Sequence, residues 1–96
     1  MINRPTKAIW KFGPFNINEP QKVRGYPTHF NTQNRKLYVW TEVCANLPAE
    51  EDMHFTLVYI PTGQEFNGAY CGTVKQEEVH GTYMWHCIEL FEEDNE

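Results

Sequence analysis

The residues best suited to chemistry are concentrated in the closing stretch HGTYMWHCIELF, residues 80–91. Histidine and cysteine together could bind zinc, or could form an activated thiol nucleophile. His86 and Cys87 are adjacent, however, and neighbouring residues of a β-strand point to opposite faces. They could not bind one metal ion without distorting the strand. We therefore interpret this stretch as the last strand of a β-sheet.

The remaining histidines and cysteines show no spacing typical of a metal site. The chain has no Cys-x-x-Cys pair and no His-x-x-x-His pair, which are local patterns that would make a zinc site convincing. The other side chains that could ligate a metal are His29, Cys44, His54, Cys71 and His80. We expect neither a metal ion nor another cofactor.

The cysteines and paired carboxylates do not form a recognisable catalytic group. A cysteine nucleophile needs an electropositive, partly open setting, whereas Lys75 is the one basic residue in the half of the chain that contains Cys71. The carboxylates of AEED, KQEEV and FEEDNE lie in predicted loops or the tail, without an apolar pocket that would suit them to acid–base catalysis. The sequence predicts a protein that is not an enzyme.

The amino-terminal part of the chain interleaves basic with aromatic side chains. Such a pattern can bind phosphates and stack bases, as in proteins that bind nucleotides or single strands. The side chains suited to this role are Trp10, Lys11, Arg24, Tyr26, Arg35 and Lys36. The alternative is that the rings fill the core and the charges face water, because the alternation in KAIWKF is typical of a half-buried strand.

Charge is divided unevenly along the chain, whose formal net charge is −5. Residues 1–41 contain seven of the eight basic side chains, and residues 42–96 contain twelve of the thirteen acidic ones. An acidic surface could occupy a basic groove of a partner protein. The acids that could form such an interface are Glu50, Glu51, Asp52, Glu77 and Glu78. Alternatively they serve solubility, and strand order decides whether two charged faces form.

Length and composition indicate a single small domain over residues 1–96. The chain can bury one core, and its aromatic content of 15% supplies much buried area per residue. The odd number of cysteines argues against a disulfide framework and favours free thiols in a reducing compartment. No signal peptide or membrane span is visible. We expect a cytoplasmic protein without membrane association, frayed at residues 1–6 and 92–96.

Alternating residues separated by turn signals predict a mainly β fold, a small antiparallel barrel or sandwich of five or six strands. The clearest strand, 36–45, has apolar residues on both faces, so we expect it to be central and covered on both sides. Gly25 and Pro27 interrupt residues 22–30, which favours an edge or bulged strand. One short helical turn is predicted near 47–52. The other predicted strands are 7–12, 53–60, 69–74 and the closing stretch.

Five motifs follow one another at similar spacing over most of residues 8–92: AIWKF, NRKLYVWTEV, FTLVYIPTGQEF, AYCGTV and TYMWHCIELFE. This order resembles a family of small β-rich proteins that are encoded mostly by bacteriophages and prophages and classed as a domain of unknown function. Two segments depart from the family pattern, VRGYPTHF and CANLPAEEDM. Both departures fall where loops and hence function would be located.

The resemblance implies that the closing stretch is a strand in which His86 lies beside Trp85, and it supplies no catalytic residue, cofactor or partner. With the small size and the acidic balance, it predicts a non-enzymatic phage-encoded binding protein in the cytoplasm of the bacterial host. Such a protein could inhibit a host protein that acts in defence or handles nucleic acid. The alternatives are a protein that binds or sequesters a nucleotide or short nucleic acid, and a structural or virion-associated oligomer.

Overall fold

The computed structural model describes residues 6–91 as seven β-strands and one turn of 3₁₀-helix. The strands are β1 (Lys7–Phe15), β2 (Gln21–Arg24), β3 (Tyr26–Gln33), β4 (Lys36–Cys44), β5 (His54–Pro61), β6 (Gly68–Glu78) and β7 (Gly81–Leu90). The helical turn, Ala49–Glu51, confirms the turn predicted near 47–52. The predicted fraying concerns residues 1–6 and 92–96, and all of these except Thr6 lie outside the described residues.

The strands form two antiparallel sheets. The smaller sheet has the order β1-β4-β3, and the larger sheet has the order β2-β5-β7-β6. Buried residues of both sheets belong to one hydrophobic cluster. The predicted mainly β, antiparallel fold is confirmed, as a sandwich-like arrangement of two sheets and not a closed barrel.

β4 lies at the centre of the smaller sheet, as its sequence predicts. Leu37, Val39 and Val43 on one face are at most 4% exposed. The opposite face is half-buried at Tyr38, where the Lys11 ammonium lies 4.7 Å from the ring centroid. The predicted covering of both faces is complete on one side, which packs on the larger sheet, and partial on the other side, which lies among side chains of its own sheet.

The segment predicted as one edge or bulged strand at 22–30 is divided between the two sheets. β2 ends at Arg24 and pairs with β5, whereas β3 begins at Tyr26 and pairs with β4. Between them, Gly25 has a φ of +92°, and a Cβ there would lie 2.5 Å from the carbonyl oxygen of Glu42. Only glycine adopts this conformation in so little space without strain. The crossing at Gly25 makes two strands from one segment, which explains why seven strands are found and five or six were predicted.

The core lies between the sheets and draws on six strands. Its buried members are Phe15, Val23, Leu37, Val39, Leu57, Tyr59, Val74 and Cys87. The Phe15 and Tyr59 rings meet edge to face with centroids 5.4 Å apart. The Tyr59 hydroxyl donates a hydrogen bond of 2.8 Å to the carbonyl oxygen of Tyr38, which links the sheets. By strand alternation, the second buried cluster, formed by Val58, Ile60 and Ile88, lies on the opposite face of the larger sheet.

Candidate functional site

A cleft between the two sheets is the candidate functional site. Its volume is about 310 Å³, at the small end of the roughly 300–1,000 Å³ that is usual for ligand pockets. The lining residues are Tyr26, Pro27, Phe30, Phe55, Ala69, Tyr70, Cys71 and Glu89. They belong to β3 of the smaller sheet and to β5, β6 and β7 of the larger sheet. The cleft therefore forms only when the sheets pack together.

Four aromatic residues line the cleft: Tyr26, Phe30, Phe55 and Tyr70. Tyr26, directly after the crossing at Gly25, is 59% exposed, and its ring meets the Phe55 ring edge to face with centroids 5.5 Å apart. Phe30 packs against the core, where a Cβ on Gly72 would lie 2.8 Å from the Phe30 ring. The missing side chain at Gly72 thus allows β3 and β6 to approach each other.

Glu89 brings a carboxylate to this aromatic cleft. It lies near the end of β7, where it pairs with Leu57 of β5 and Ala69 of β6, and it is half-buried. Strand alternation places Glu89 on the same face of the larger sheet as the core residue Cys87. An acid thus stands on the apolar face of a strand, which is an uncommon position for a charge.

The charge of the cleft is negative in the part of the chain that the structure describes. No Lys or Arg is among the lining residues. The ion pairs within residues 6–91 are Lys7–Glu42, Arg24–Asp52 and Arg35–Glu78. Glu89 belongs to none of these pairs, so its carboxylate can accept a cation from outside.

Cys71 lines the cleft at a bulge of β6, between Tyr70 and Gly72. Burial raises the pKa of its thiol, and the nearby Glu89 carboxylate raises it further. Burial also raises the pKa of the Cys87 thiol on the neighbouring strand. Near neutral pH both groups are therefore protonated thiols, which are poor nucleophiles.

Exposed apolar side chains surround the cleft. Met53 is 55% and Phe91 is 56% exposed. A neighbouring cleft of about 380 Å³ contains Phe91 and shares Phe55 and Glu89 with the first, and another connects Tyr26 with Met53. We define the cleft surface as Tyr26, Met53, Phe55, Glu89 and Phe91. It combines three exposed apolar side chains with one carboxylate.

Trp10 and Arg24 were both predicted for a nucleotide site. They lie together, but the Arg24 side chain is engaged by Trp10 and by other groups of the protein. The Arg24 guanidinium is 4.9 Å from the centroid of the Trp10 ring. Its Nε donates to Asp52 Oδ2 at 2.9 Å, and its Nη2 donates to the carbonyl oxygens of Cys44 at 2.8 Å and Leu47 at 3.1 Å. The Arg24 side chain is only 12% exposed. These bonds engage it inside the protein instead of presenting it to a phosphate.

The other residues predicted for that site lie far apart. Lys11 Nζ donates to Gln33 Oε1 at 2.9 Å. Arg35 and Lys36 lie at the β3–β4 turn, and Tyr26 lies at the opposite end of the eight-residue strand β3. At strand spacing this separation is roughly 25 Å. The structure therefore does not unite the six residues in one site, although it places Tyr26 in the cleft.

The acids predicted as a protein interface form two separate pairs at the surface. Glu50 and Glu51 are exposed in the helical turn. Glu77 and Glu78 lie at the end of β6, where Glu77 is exposed and Glu78 is half-buried. Glu78 Oε2 is 3.5 Å from Arg35 Nε. Neither pair lines the cleft.

Asp52 is corrected from an exposed acid to a buried one. Its side chain is 5% exposed. Besides the Arg24 guanidinium, it accepts hydrogen bonds from the backbone N–H groups of Cys44 at 2.9 Å and Met53 at 2.8 Å. The bond from Arg24, followed by that from Cys44, holds the pKa of the Asp52 carboxyl below its usual value. Asp52 thus anchors the loop before β5 and is withdrawn from the surface.

His86 is a strand residue, as predicted, and it is held by threonine hydroxyls. Its Nε2 lies 2.7 Å from Thr62 Oγ1, and its Nδ1 lies 2.9 Å from Thr73 Oγ1. The Tyr70 hydroxyl continues this chain at 2.6 Å from Thr73 Oγ1. Because strand neighbours alternate, the His86 ring lies on the opposite face of the larger sheet from Trp85.

Sequence analysis includes one of the aromatic residues of the cleft, Tyr26, and omits Phe30, Phe55, Tyr70 and Glu89 as site residues. A signal for Glu89 exists in the sequence. In the closing stretch it stands two residues after Cys87, and it therefore interrupts an apolar face with a carboxylate. No comparable signal marks the two phenylalanines, because rings on the inner face of a strand are usual in any β-sandwich.

Two structural features are not found in residues 6–91. These residues contain no helix that is long and apolar enough to cross a membrane. They also contain no group of three His, Cys, Asp or Glu side chains placed to hold a metal ion.

Comparison of the chain with protein-family models, with curated proteins and with solved structures finds no match. The resemblance to small phage-encoded proteins therefore stays a prediction.

Proposed function

We propose that this protein is a non-enzymatic binding protein that recognises another protein through its cleft surface. The observation that carries this proposal is the grouping of Tyr26, Met53 and Phe91, each more than half exposed, around the cleft that contains Glu89. Exposed apolar groups rimmed by polar ones are typical of interaction sites. Aromatic and methionine side chains are also enriched at the centres of protein interfaces.

The partner that this surface fits best is a host protein with a basic, partly apolar face. The chain carries 13 acids against eight basic residues, which favours association with a positively charged partner. The phage-like order of sequence motifs supports a role in the cytoplasm of a bacterial host. Binding that covers a basic functional groove would inhibit a host protein involved in defence or in nucleic-acid handling.

Nucleotide binding has less support. Arg24 is engaged by Asp52, and Arg35 and Lys36 lie at the far end of β3 from Tyr26. The cleft lining contains a carboxylate, which repels phosphate, and no basic side chain. Stabilisation of the wild-type protein by a nucleotide in a thermal-shift screen would reverse this preference.

The test is a comparison of three tagged proteins in a bacterial lysate: wild type, Tyr26→Ala and Tyr83→Ala. Tyr83 is a matched control because it is also exposed, at 47%, and lies at the opposite end of β7 from Glu89. Aromatic anchors at interfaces often contribute 2 kcal/mol or more, about 30-fold in affinity. We therefore expect one stoichiometric partner that the wild type and Tyr83→Ala retain and that Tyr26→Ala loses.

Two results would contradict the proposal. One is the absence of any protein partner above background. The other is a partner that all three proteins retain equally, which would place the interface elsewhere. Repeating the capture at about 0.5 M salt, where the Debye length is only ~4 Å, measures the electrostatic contribution. Sizing the purified protein in solution tests the alternative of a structural oligomer.

A further inference from the structure

We propose that the cleft binds the guanidinium group of an arginine side chain that the partner protein presents. This inference rests on the proposed function and names the chemistry of its central contact. A guanidinium is a flat cation that stacks on aromatic rings and binds a carboxylate through two parallel hydrogen bonds. The cleft lining contains both acceptors of such a group, aromatic side chains and the carboxylate of Glu89.

Three of the aromatic side chains that line the cleft belong to two strands, one in each sheet. Tyr26 and Phe30 belong to β3 and Phe55 belongs to β5, so their rings approach the cleft from both sheets. The Tyr26 and Phe55 rings are nearly perpendicular, at 82°. A cation within about 6 Å of a ring centroid is attracted by the negative face of the ring, and the attraction is stronger where water is excluded.

The electrostatic contribution comes from Glu89. Glu89 is half-buried, and its carboxylate belongs to none of the ion pairs of residues 6–91 and is close enough to Cys71 to raise the pKa of that thiol. A partly buried charge is screened less by water and salt than an exposed one. A cation that enters the cleft therefore gains a favourable interaction with a charge that is already in place.

Within residues 6–91, the same combination of an aromatic ring and a carboxylate already holds one guanidinium. At the corner of the sandwich, the Arg24 guanidinium lies 4.9 Å from the Trp10 centroid and donates to Asp52 at 2.9 Å. One aromatic ring and one carboxylate there hold a guanidinium from the same chain. Among the described residues, the cleft offers rings and a carboxylate without a basic residue in its lining, so we assign the guanidinium to another molecule.

A partner's side chain fits this site better than a free organic cation. The cleft is small, about 310 Å³, and its rim includes the exposed apolar side chains Met53 and Phe91 in the neighbouring clefts. A protein that inserts an arginine also covers these apolar groups. A free cation would leave them exposed and would gain only the central contact.

The experiment titrates the wild-type protein with acetyl-Leu-Arg-Leu-amide, whose leucines can cover Met53 and Phe91, and follows backbone amide shifts by NMR. The matched peptides replace arginine by citrulline, which has the same shape without the charge, and by lysine. Ethylguanidinium represents the free cation. We expect amide shifts concentrated at Tyr26, Phe55, Cys71 and Glu89, with binding of the arginine peptide at least threefold tighter than that of any of the other three ligands.

Two variants test whether the carboxylate of Glu89 binds the arginine side chain. Glu89→Gln should weaken the arginine peptide about tenfold, because it removes a partly desolvated ion pair. Glu77→Gln removes an exposed acid of β6 outside the cleft and should change the affinity by less than twofold. If Glu89→Gln does not fold, the amide shifts of the wild-type protein still show whether the arginine peptide binds beside Glu89.

Each contrary outcome has a distinct meaning. Equal binding of the arginine and citrulline peptides, or shifts away from the cleft, overturns the arginine site. Ethylguanidinium binding as tightly as the peptide overturns the assignment to a partner's side chain. If Tyr26→Ala loses a protein partner although no arginine peptide binds, the proposed function stands and this inference fails. If the arginine peptide binds the cleft and no protein is captured, the proposed function fails.

Discussion

Single side chains join the two sheets at both the corner and the centre of the sandwich. Arg24 leaves β2 of the larger sheet and donates to the carbonyl oxygen of Cys44, the last residue of β4 in the smaller sheet. Asp52 accepts from Arg24 and from the Cys44 N–H group. At the centre, the Tyr59 hydroxyl makes the corresponding link to Tyr38. Removing one partner of a buried polar contact leaves the other without a hydrogen bond, which lowers the free energy of unfolding.

Asp52→Asn should lower the Tm at pH 7 and make stability less dependent on acid. The folded-state pKa of Asp52 is lowered, chiefly by the hydrogen bond from Arg24. Its stabilisation is therefore complete above the unfolded pKa of about 3.9 and is lost as pH falls through the folded value. Thermal melts from pH 7 to pH 2 should show the two proteins converging below about pH 4.

Glu51→Gln provides the control for this titration, because Glu51 is the exposed neighbour of Asp52. Its melting curves should follow those of the wild type at every pH. A Tm difference between wild type and Asp52→Asn that stays constant down to pH 2 would contradict the assigned role of the Asp52 charge.

Tyr59→Phe should destabilise the protein by about 1–2 kcal/mol, because it leaves the carbonyl oxygen of Tyr38 without its side-chain donor. Tyr59 is fully buried, and burial raises the pKa of its phenol well above the ordinary value, so the hydroxyl stays a donor at any usable pH. Urea unfolding measures the change. The exposed Tyr83→Phe should stay within about 0.5 kcal/mol of wild type, and equal effects of the two substitutions would exclude a special role for the Tyr59 hydroxyl.

At the scale of elements, the crossing between β2 and β3 determines where the cleft forms. The backbone N–H of Gly25 donates to the carbonyl oxygen of Met53 at 2.7 Å, and Thr41 Oγ1 donates to the carbonyl oxygen of Arg24 at 2.7 Å. Tyr26 follows immediately and reaches the Phe55 ring. The short strand β2 thus forms one edge of the larger sheet, and the strand that follows it, β3, belongs to the smaller sheet.

Gly25→Ala should destabilise the protein by about 2–4 kcal/mol, the combined effect of a left-handed backbone and an overpacked site. The added Cβ would lie 2.5 Å from the Glu42 carbonyl oxygen and 2.6 Å from Val43 Cγ1. Gly63 is a matched control, because it has the same φ of +92° with nothing within 4 Å of an added Cβ. Gly63→Ala should cost only about 1–2 kcal/mol in urea unfolding. A Gly25→Ala cost no larger than this would show that space at the crossing is not limiting.

At the scale of the whole molecule, the uneven charge of the sequence does not become two oppositely charged sheets. The crossing at Gly25 carries Lys22 and Arg24 of the basic half into the larger sheet. There they join Lys75 and the three acids of its strands, which are Glu77, Glu78 and Glu89. The recognition that we propose therefore depends on local groups at the cleft surface, and the net charge would contribute mainly to long-range attraction.

The arrangement of the strands also predicts where the protein is most stable. β4, β5 and β7 each have a hydrogen-bonded strand on both sides, whereas β2 is a four-residue edge strand. Native-state hydrogen exchange should show the slowest amides in these three central strands and faster exchange in β2, because edges open at lower free energy. Protection of β2 equal to that of β5 would contradict the strand order.

Much of the fold can be predicted from local pattern alone. The two-residue alternation of β4 identifies a strand and its apolar face, and Pro48 before acidic residues identifies the helical turn, because these signals lie within a few residues of chain. Gly25 announces an interruption. The glycine does not indicate that the next strand belongs to another sheet, since a bulge within one sheet and a crossing between two sheets can both place a glycine at such a position.

The sequence by itself therefore determined that the chain forms antiparallel strands with one buried face, because side-chain alternation is a local property of the backbone. Only the tertiary structure decided which strands are neighbours. Tyr26, Phe55 and Glu89 are distant in sequence and meet in one cleft because the sheets pack face to face. Arg24 and Asp52 look like surface charges in the sequence and become a largely buried pair for the same reason. The free energy of both arrangements arises from contacts between strands, which no single segment contains.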